Sequence, residues 1–92
     1  MNNEILSYLQ RWYLSKCNGV WEHENGFDIS TIDNPGWKVF LNGESGKRAI
    51  EINYDISEDD WVIIKASESE FKGYGSPEKL IFILEKLKEW LK

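Results

Sequence analysis

The sequence predicts an α+β fold, in which a helix at each end of the chain flanks four or five antiparallel strands. Three observations support it. Apolar residues recur at helical spacing near both ends, they alternate with polar residues between the ends, and short turns rich in glycine separate the alternating segments. The simplest arrangement is a meander sheet with both helices packed on one face. At 92 residues the chain predicts one domain.

The first helix is predicted over residues 3–16. Asn2 or Asn3 can cap its start, and Asn18-Gly19 is expected to stop it, because glycine tolerates the left-handed conformation that ends helices. Its apolar stripe follows a period of 3.6 residues and consists of Ile5, Leu6, Leu9, Trp12 and Tyr13.

The middle of the chain predicts strands at residues 27–31, 37–41, 49–54, 61–66 and 70–75. Pro35-Gly36 predicts a type II turn, since proline fixes φ of its second residue and glycine accepts the positive φ of its third. The segment "NGESGK" predicts a turn between antiparallel neighbours. "WVIIKA" is the most apolar strand and is expected near the centre. "EFKGYG" is expected to be a short last strand that its glycines weaken.

The second long helix is predicted to begin at the N-cap Ser76, with Pro77 in its first position. Its apolar stripe consists of Leu80, Ile83, Leu84, Leu87 and Leu91. Ile81 and Phe82 lie off this stripe, so they pack under a loop or serve a partner.

Charge narrows the class of partner. The net charge is −5, and residues 21–75 hold twelve acidic against five basic side chains. Such a field repels nucleic acid and anionic membrane and attracts basic proteins, although it can also serve solubility alone. No signal peptide is evident, and the apolar run "LIFIL" is far shorter than the ~20 residues that a membrane span needs. With a single free cysteine, these features predict a cytoplasmic protein.

Sequence support for a catalytic or a metal-binding function is weak. Cys17 and His23 could form a thiolate–imidazole pair, but nothing secures the third, orienting group. A metal site from Cys17, His23 and the neighbouring acids has no recognised spacing, so no metal or cofactor is expected. "NGESGK" lacks the spacing of a phosphate-binding loop. The acids of "DISEDD" are more typical of a polar turn than of a catalytic pair.

Three tryptophans, Trp21, Trp37 and Trp61, stand where loops meet predicted strands, next to acids. Tryptophan at such a place is typical of a binding hot spot, and equally of a large ring that covers the edge of a thin core.

The segments "LQRWYLSKCNGVWEHENG", "ISTIDNPGW", "SEDDW" and "FKGYGSPEKLIFILEKLKEWL" occur in this order at compatible spacing, from about Leu6 to Trp90. This combination resembles the immunity protein 53 family of bacterial polymorphic toxin systems. Val20 departs from the resemblance, because an acidic residue is expected there.

The resemblance implies that residues 1–92 form a single immunity domain without catalytic activity. The domain would act in the cytoplasm, binding and neutralising a cognate toxin with a basic surface, such as a nuclease. No nucleic acid or membrane partner is expected, and the oligomeric state stays open. A small thiol enzyme and a homomeric interaction module are the alternatives.

Within the matching motifs we separate expected toxin contacts from residues expected to hold the fold. The expected contacts are Glu22, Glu24, Asp33, Glu58, Asp59, Asp60 and Trp61. The expected structural residues are Trp21, His23, Asn34, Pro35, Gly36 and Trp37.

Overall fold

A computed structural model describes residues 4–92 of the chain. Its elements are, in order, α1 (Glu4–Lys16), the one-turn helix α2 (Trp21–Glu24), β1 (Phe27–Ile32), β2 (Gly36–Leu41), β3 (Ile50–Ser57), β4 (Asp60–Ala66), β5 (Phe71–Gly75) and α3 (Leu80–Leu91). The predicted α+β class, with five antiparallel strands between two terminal helices, is confirmed. The predicted cap at Asn2 or Asn3 lies outside the described residues.

The strand order differs from a simple meander. The sheet runs β1-β2-β5-β4-β3, so β5 occupies the centre and β3 an edge. The segment between β2 and β3 is therefore not a hairpin turn, and the prediction that it joins neighbouring strands was wrong. It crosses the end of the β4–β5 hairpin instead, where the backbone N–H groups of Glu44 and Lys47 donate to the carbonyl oxygens of Ser69 and Glu68.

β5 is the short last strand of the chain, as predicted, but it is central in the sheet, where its glycines make room for α3. A Cβ on Gly73 would lie 2.6 Å from Cγ2 of Ile83, and one on Gly75 would lie 2.7 Å from Cβ of Lys79. Both glycines face the start of α3 and its preceding turn, so their missing side chains let the helix approach the middle of the sheet.

The core lies between the sheet and the two long helices. Helix α3 packs on β5 and β2, and α1 packs beside α3, as predicted, on the same sheet face. The buried side chains between them include Val39, Leu41, Val62, Ile64 and Phe71 from the sheet and Ile83, Leu84 and Leu87 from α3. The opposite face of the sheet has no element packed on it within residues 4–92.

Ser76 does not cap α3, which begins at Leu80. Ser76 is fully buried. Its hydroxyl accepts a hydrogen bond from the Trp61 N–H at 3.4 Å, and its own N–H donates to the Trp61 carbonyl at 3.0 Å. Because these bonds extend the β4–β5 pairing, the side chain that resembled a helix cap serves the sheet, and the helix starts one turn later.

Gly36 also has a different role from the predicted one. Its φ is not positive, so it is not the third residue of a type II turn. It is the first residue of β2, paired with Ile32. A Cβ there would collide with the backbone carbonyl oxygen of Gly75. Glycine is therefore required at this position by the close approach of β5.

Gly19 does have the predicted positive φ, at 92°, after the end of α1.

Candidate functional site

The two ends of the sheet carry different structures. We call the end with the β1–β2 turn (residues 33–35) and the β3–β4 turn (residues 58–59) the turn end. We call the opposite end, with residues 17–26, 42–49 and 67–70, the loop end. The antiparallel register places the start of β1 at the loop end and its last residue, Ile32, at the turn end.

At the turn end, two sequence motifs that are distant along the chain meet. Asn34 and Pro35 of "DNPGW" and Glu58, Asp59 and Trp61 of "SEDDW" line one cleft of about 360 Å³. The cleft exists because β1–β2 and β3–β4 are hairpins on either side of β5, with both turns pointing the same way.

Three carboxylates at the turn end have no counter-charge from the part of the chain that the structure describes. Asp33, Glu58 and Asp59 are exposed. None of them forms an ion pair with any residue in 4–92. Their charges therefore remain available to a basic partner.

Asp60 differs from its neighbours in the acidic run. Its carboxylate lies 2.8 Å from the Lys79 ammonium, with the Oδ1 atom buried. The hydrogen bond with Asp60, assisted by the charge of the same carboxylate, raises the pKa of Lys79 against the opposing effect of desolvation. Lys79 also lies 5.5 Å from the ring centre of Tyr54. The charge of Asp60 is thus neutralised within the fold.

The two tryptophans of the turn end are held differently. Trp61 is half-buried, its backbone is fixed by Ser76, and its side chain contributes a wall of the cleft. The Trp37 indole N–H donates to the Pro77 carbonyl at 2.9 Å. Trp37 therefore braces the turn that precedes α3, and Trp61 is the tryptophan that the cleft presents.

The loop end holds the other two expected contacts, Glu22 and Glu24. Glu22 accepts hydrogen bonds from the backbone N–H groups of Asn18 at 3.0 Å and Gly19 at 2.7 Å. Its own backbone N–H first, and then those of Asn18 and Gly19, lower the pKa of Glu22. The carboxylate is engaged in the α1–α2 connection, whereas Glu24 is exposed. The seven expected contacts therefore do not form one surface.

Trp21 contributes to packing at the loop end. Its ring meets Trp12 edge-on at 5.7 Å between centroids, and its indole N–H donates to the Gly43 carbonyl at 3.2 Å.

His23 is exposed in α2. The Cys17 thiol donates to the Tyr13 carbonyl at 3.3 Å. The negative charge that Cys17 carries as a thiolate, and then a side-chain hydrogen bond with Cys17, raise the pKa of the Tyr13 hydroxyl.

Sequence reasoning missed the residues that support these sites. The Glu44 side chain is only 6% exposed and forms ion pairs with Lys16 at 2.8 Å and Lys47 at 3.3 Å. The ion pair with Lys16 fixes the 42–49 segment to α1. Lys79 neutralises Asp60, and no local spacing links the two, because they meet only when α3 docks on the sheet. Of these supporting residues, only Tyr54 could have been found from the sequence, since it alternates with polar residues in β3.

Residues 4–92 contain no group of three or more His, Cys, Asp or Glu side chains arranged to hold a metal ion. None of the helices in that range is both long and apolar enough to cross a bilayer.

Comparison with known proteins identifies the class as that of immunity proteins. The family model described as immunity protein 53 matches residues 6–92, a span that includes both turns and every strand. The chain belongs to the immunity protein 53 family. No curated protein and no solved structure matches it.

Proposed function

We propose that this chain is a non-catalytic immunity protein that binds and neutralises a cognate toxin through the turn end of its sheet. The observation that carries the proposal is the convergence of "DNPGW" and "SEDDW" on one cleft. Glu58 and Asp59 line the cleft, Asp33 directly precedes the lining residue Asn34, and none of these carboxylates forms an ion pair within residues 4–92. Membership of an immunity family supports the general role.

The chemistry of the cleft favours a basic partner. Three free carboxylates beside one half-buried tryptophan combine electrostatic steering with a large apolar anchor. A toxin that acts on nucleic acid needs a basic groove for phosphates, and carboxylates of the turn end could occupy that groove. A secreted or contact-delivered nuclease is therefore the toxin class that fits best. The proposal locates the immunity protein in the cytoplasm, where such a toxin would act.

Co-expression with the toxin encoded by the neighbouring gene tests the role. We expect this chain to restore growth of cells that make the toxin, and to co-purify with it at low salt. An inactive toxin variant allows binding to be measured without selection against expression. A toxin that kills despite full expression of this chain, or a pair that does not associate at low salt, would refute the proposal.

Nothing at the loop end favours the thiol-enzyme alternative. The Cys17 thiol donates to a backbone carbonyl, and no hydrogen bond joins it to His23 within residues 4–92. A Cys17→Ser variant is expected to protect cells as well as the unmodified chain. Loss of protection in a stable Cys17→Ser variant would revive that alternative.

A further inference from the structure

We infer that the free edge of β3 accepts a strand of the toxin, and that basic and apolar side chains alternate along that strand. This inference rests on the proposed function and extends it, because it names the backbone surface and the chemistry of the segment that binds there. Addition of a strand to a sheet edge draws affinity from main-chain hydrogen bonds and specificity from alternate side chains.

The edge itself is long and, within residues 4–92, has a partner strand on one side. β3 has eight residues, Ile50–Ser57, and pairs only with β4. Its last five residues, from Asn53 to Ser57, are all exposed. Folded proteins usually protect such an edge with charged side chains, proline, a bulge or a covering element. β3 contains no lysine or proline, and its charged side chains, Glu51 and Asp55, are both acidic, so they oppose an acidic strand and admit a basic one. Its irregularity falls near Ile56, close to the turn, and leaves Ile50–Asp55 in regular register.

The outer face of β3 sets the charge of the incoming strand. Glu51, Asn53 and Asp55 point to the open face of the sheet, because their β4 partners Lys65, Ile63 and Trp61 do so. An added strand would place its own side chains beside Glu51 and Asp55. Opposite charges in neighbouring strands are stabilising and like charges are not, so basic residues fit this row. Asp55 pairs with Trp61, which makes the row continuous with the turn-end cleft.

The inner face of β3 supplies an apolar groove. Ile52, Tyr54, Val62, Lys79 and Phe82 line a cavity of about 320 Å³ between the strand and α3. Because α3 packs over β5 and β2, it does not cover this flank, and Tyr54 and Phe82 remain 44% and 39% exposed. Phe82, which lies off the apolar stripe of α3, is therefore available to contact a partner. Side chains that alternate with the basic residues of an added strand would enter the groove.

Two alternatives, a second copy of this chain at β3 and a strand added to the other edge, fit less well. A second copy of this chain would bring its own Glu51 and Asp55 to the same seam, so four carboxylates would lie side by side. The opposite edge strand, β1, has only six residues and a single acid, Asp28. Strand length and charge therefore both favour β3 with a basic strand.

A peptide measurement tests the edge directly. The probes are an octapeptide that alternates lysine with valine and a matched octapeptide that alternates glutamate with valine. We expect the lysine peptide to shift the amide resonances of residues 50–57 and slow their hydrogen exchange, and the glutamate peptide to do neither. Shifts confined to β1, or equal binding of both peptides, would overturn the inference.

N-methylation separates strand addition from simple charge attraction. In a strand, the amides of the lysines and those of the valines point to opposite edges. Methylation of one set should therefore abolish binding, and methylation of the other set should leave it nearly unchanged. Equal effects of the two sets would mean that the peptide is attracted by charge alone, which would overturn the inference.

Variants of the edge have a charge-matched control. Glu51→Lys with Asp55→Lys should weaken binding of the lysine peptide about tenfold, because two favourable cross-strand pairs become repulsive. Asp28→Lys with Glu85→Lys changes the net charge equally at exposed positions outside β3 and should have little effect. Equal weakening by both pairs would overturn the inference.

The toxin complex distinguishes this inference from the proposed function. Hydrogen exchange of the β3 amides is compared with and without the inactive neighbouring toxin. Binding without protection of residues 50–57 would overturn the strand addition and leave the immunity role intact. Failure of the toxin to associate would refute the immunity role, and the peptide result would still decide whether the edge accepts a basic strand.

Discussion

The turn end and the loop end of the sheet are both acidic, but several of their carboxylates differ in what they contact. At the loop end, Glu22 binds backbone N–H groups and Glu44 binds Lys16 and Lys47. At the turn end, Asp33, Glu58 and Asp59 are exposed and form no ion pair with residues 4–92. Acidity by itself is therefore a poor guide to a binding surface. The informative feature is a charge that the fold does not neutralise.

The largest effect is expected from Gly36→Ala, which tests whether the frame of the turn end is structural. The added Cβ would collide with the Gly75 carbonyl, a backbone atom in the central strand that cannot move independently. We expect a loss of about 3 kcal/mol in the free energy of unfolding, at the upper end for overpacking. Urea denaturation measures it. Gly26→Ala, where a Cβ has open space, is the control. Equal stability of the two variants would contradict the assignment.

The next effect tests the loop end. Glu44→Ala removes a nearly buried carboxylate and leaves the ammonium groups of Lys16 and Lys47 without their partner. We expect the free energy of unfolding to fall by about 2 kcal/mol, less than for a fully buried pair because both lysines reach solvent. Toxin association should not change in protein that remains folded. A slower association at unchanged stability would instead assign Glu44 to the binding surface.

The third prediction reverses charge at the turn end. Glu58→Lys with Asp59→Lys should reduce the association rate with the toxin about tenfold at low salt, through loss of steering. Stability should change by less than about 0.5 kcal/mol, since both side chains are exposed. Stopped-flow measurements over a salt series check it. Asp28→Lys with Glu85→Lys is the charge-matched control. An equal fall in the control would show that net charge, not the turn end, steers the toxin.

The smallest effect concerns Glu22 and depends on pH. Its folded pKa is lowered from the ordinary value of 4.5, so its contribution to stability is present above pH 4.5 and is lost as the pH falls through the folded pKa. Glu22→Gln should therefore be less stable than the unmodified chain at pH 7, and this difference should narrow at pH 3. Thermal unfolding at both values measures it. A difference that stays constant or widens in acid would contradict the assignment.

Local pattern predicted the elements of this fold well and their pairing only partly. The apolar stripes predicted α1 and most of α3, and alternation predicted all five strands, because side-chain period follows directly from backbone geometry. Strand order does not follow from period. The glycines of β5 predicted only a weakened last strand, because the reason for them, the approach of α3, lies in another part of the chain.

The candidate site divides in the same way. The motifs "DNPGW" and "SEDDW" were recognised in the sequence, but their meeting at one cleft depends on how the two hairpins flank β5. Glu22 and Glu58 look alike in a sequence as acids beside turns. Only their surroundings separate a carboxylate that caps backbone N–H groups from one that faces solvent.

The sequence by itself determined the α+β class, the family, the approximate positions of the two long helices and the five strands, and the acidity of the central segment. All of these are properties of composition, of motif order or of side-chain period along the chain. The tertiary structure alone decided that β5 is central, that Lys79 neutralises Asp60 and that β3 is left as a free edge. The physical reason is that each of these outcomes depends on contacts between segments far apart in the chain, and a local pattern carries no record of which distant segment becomes its neighbour.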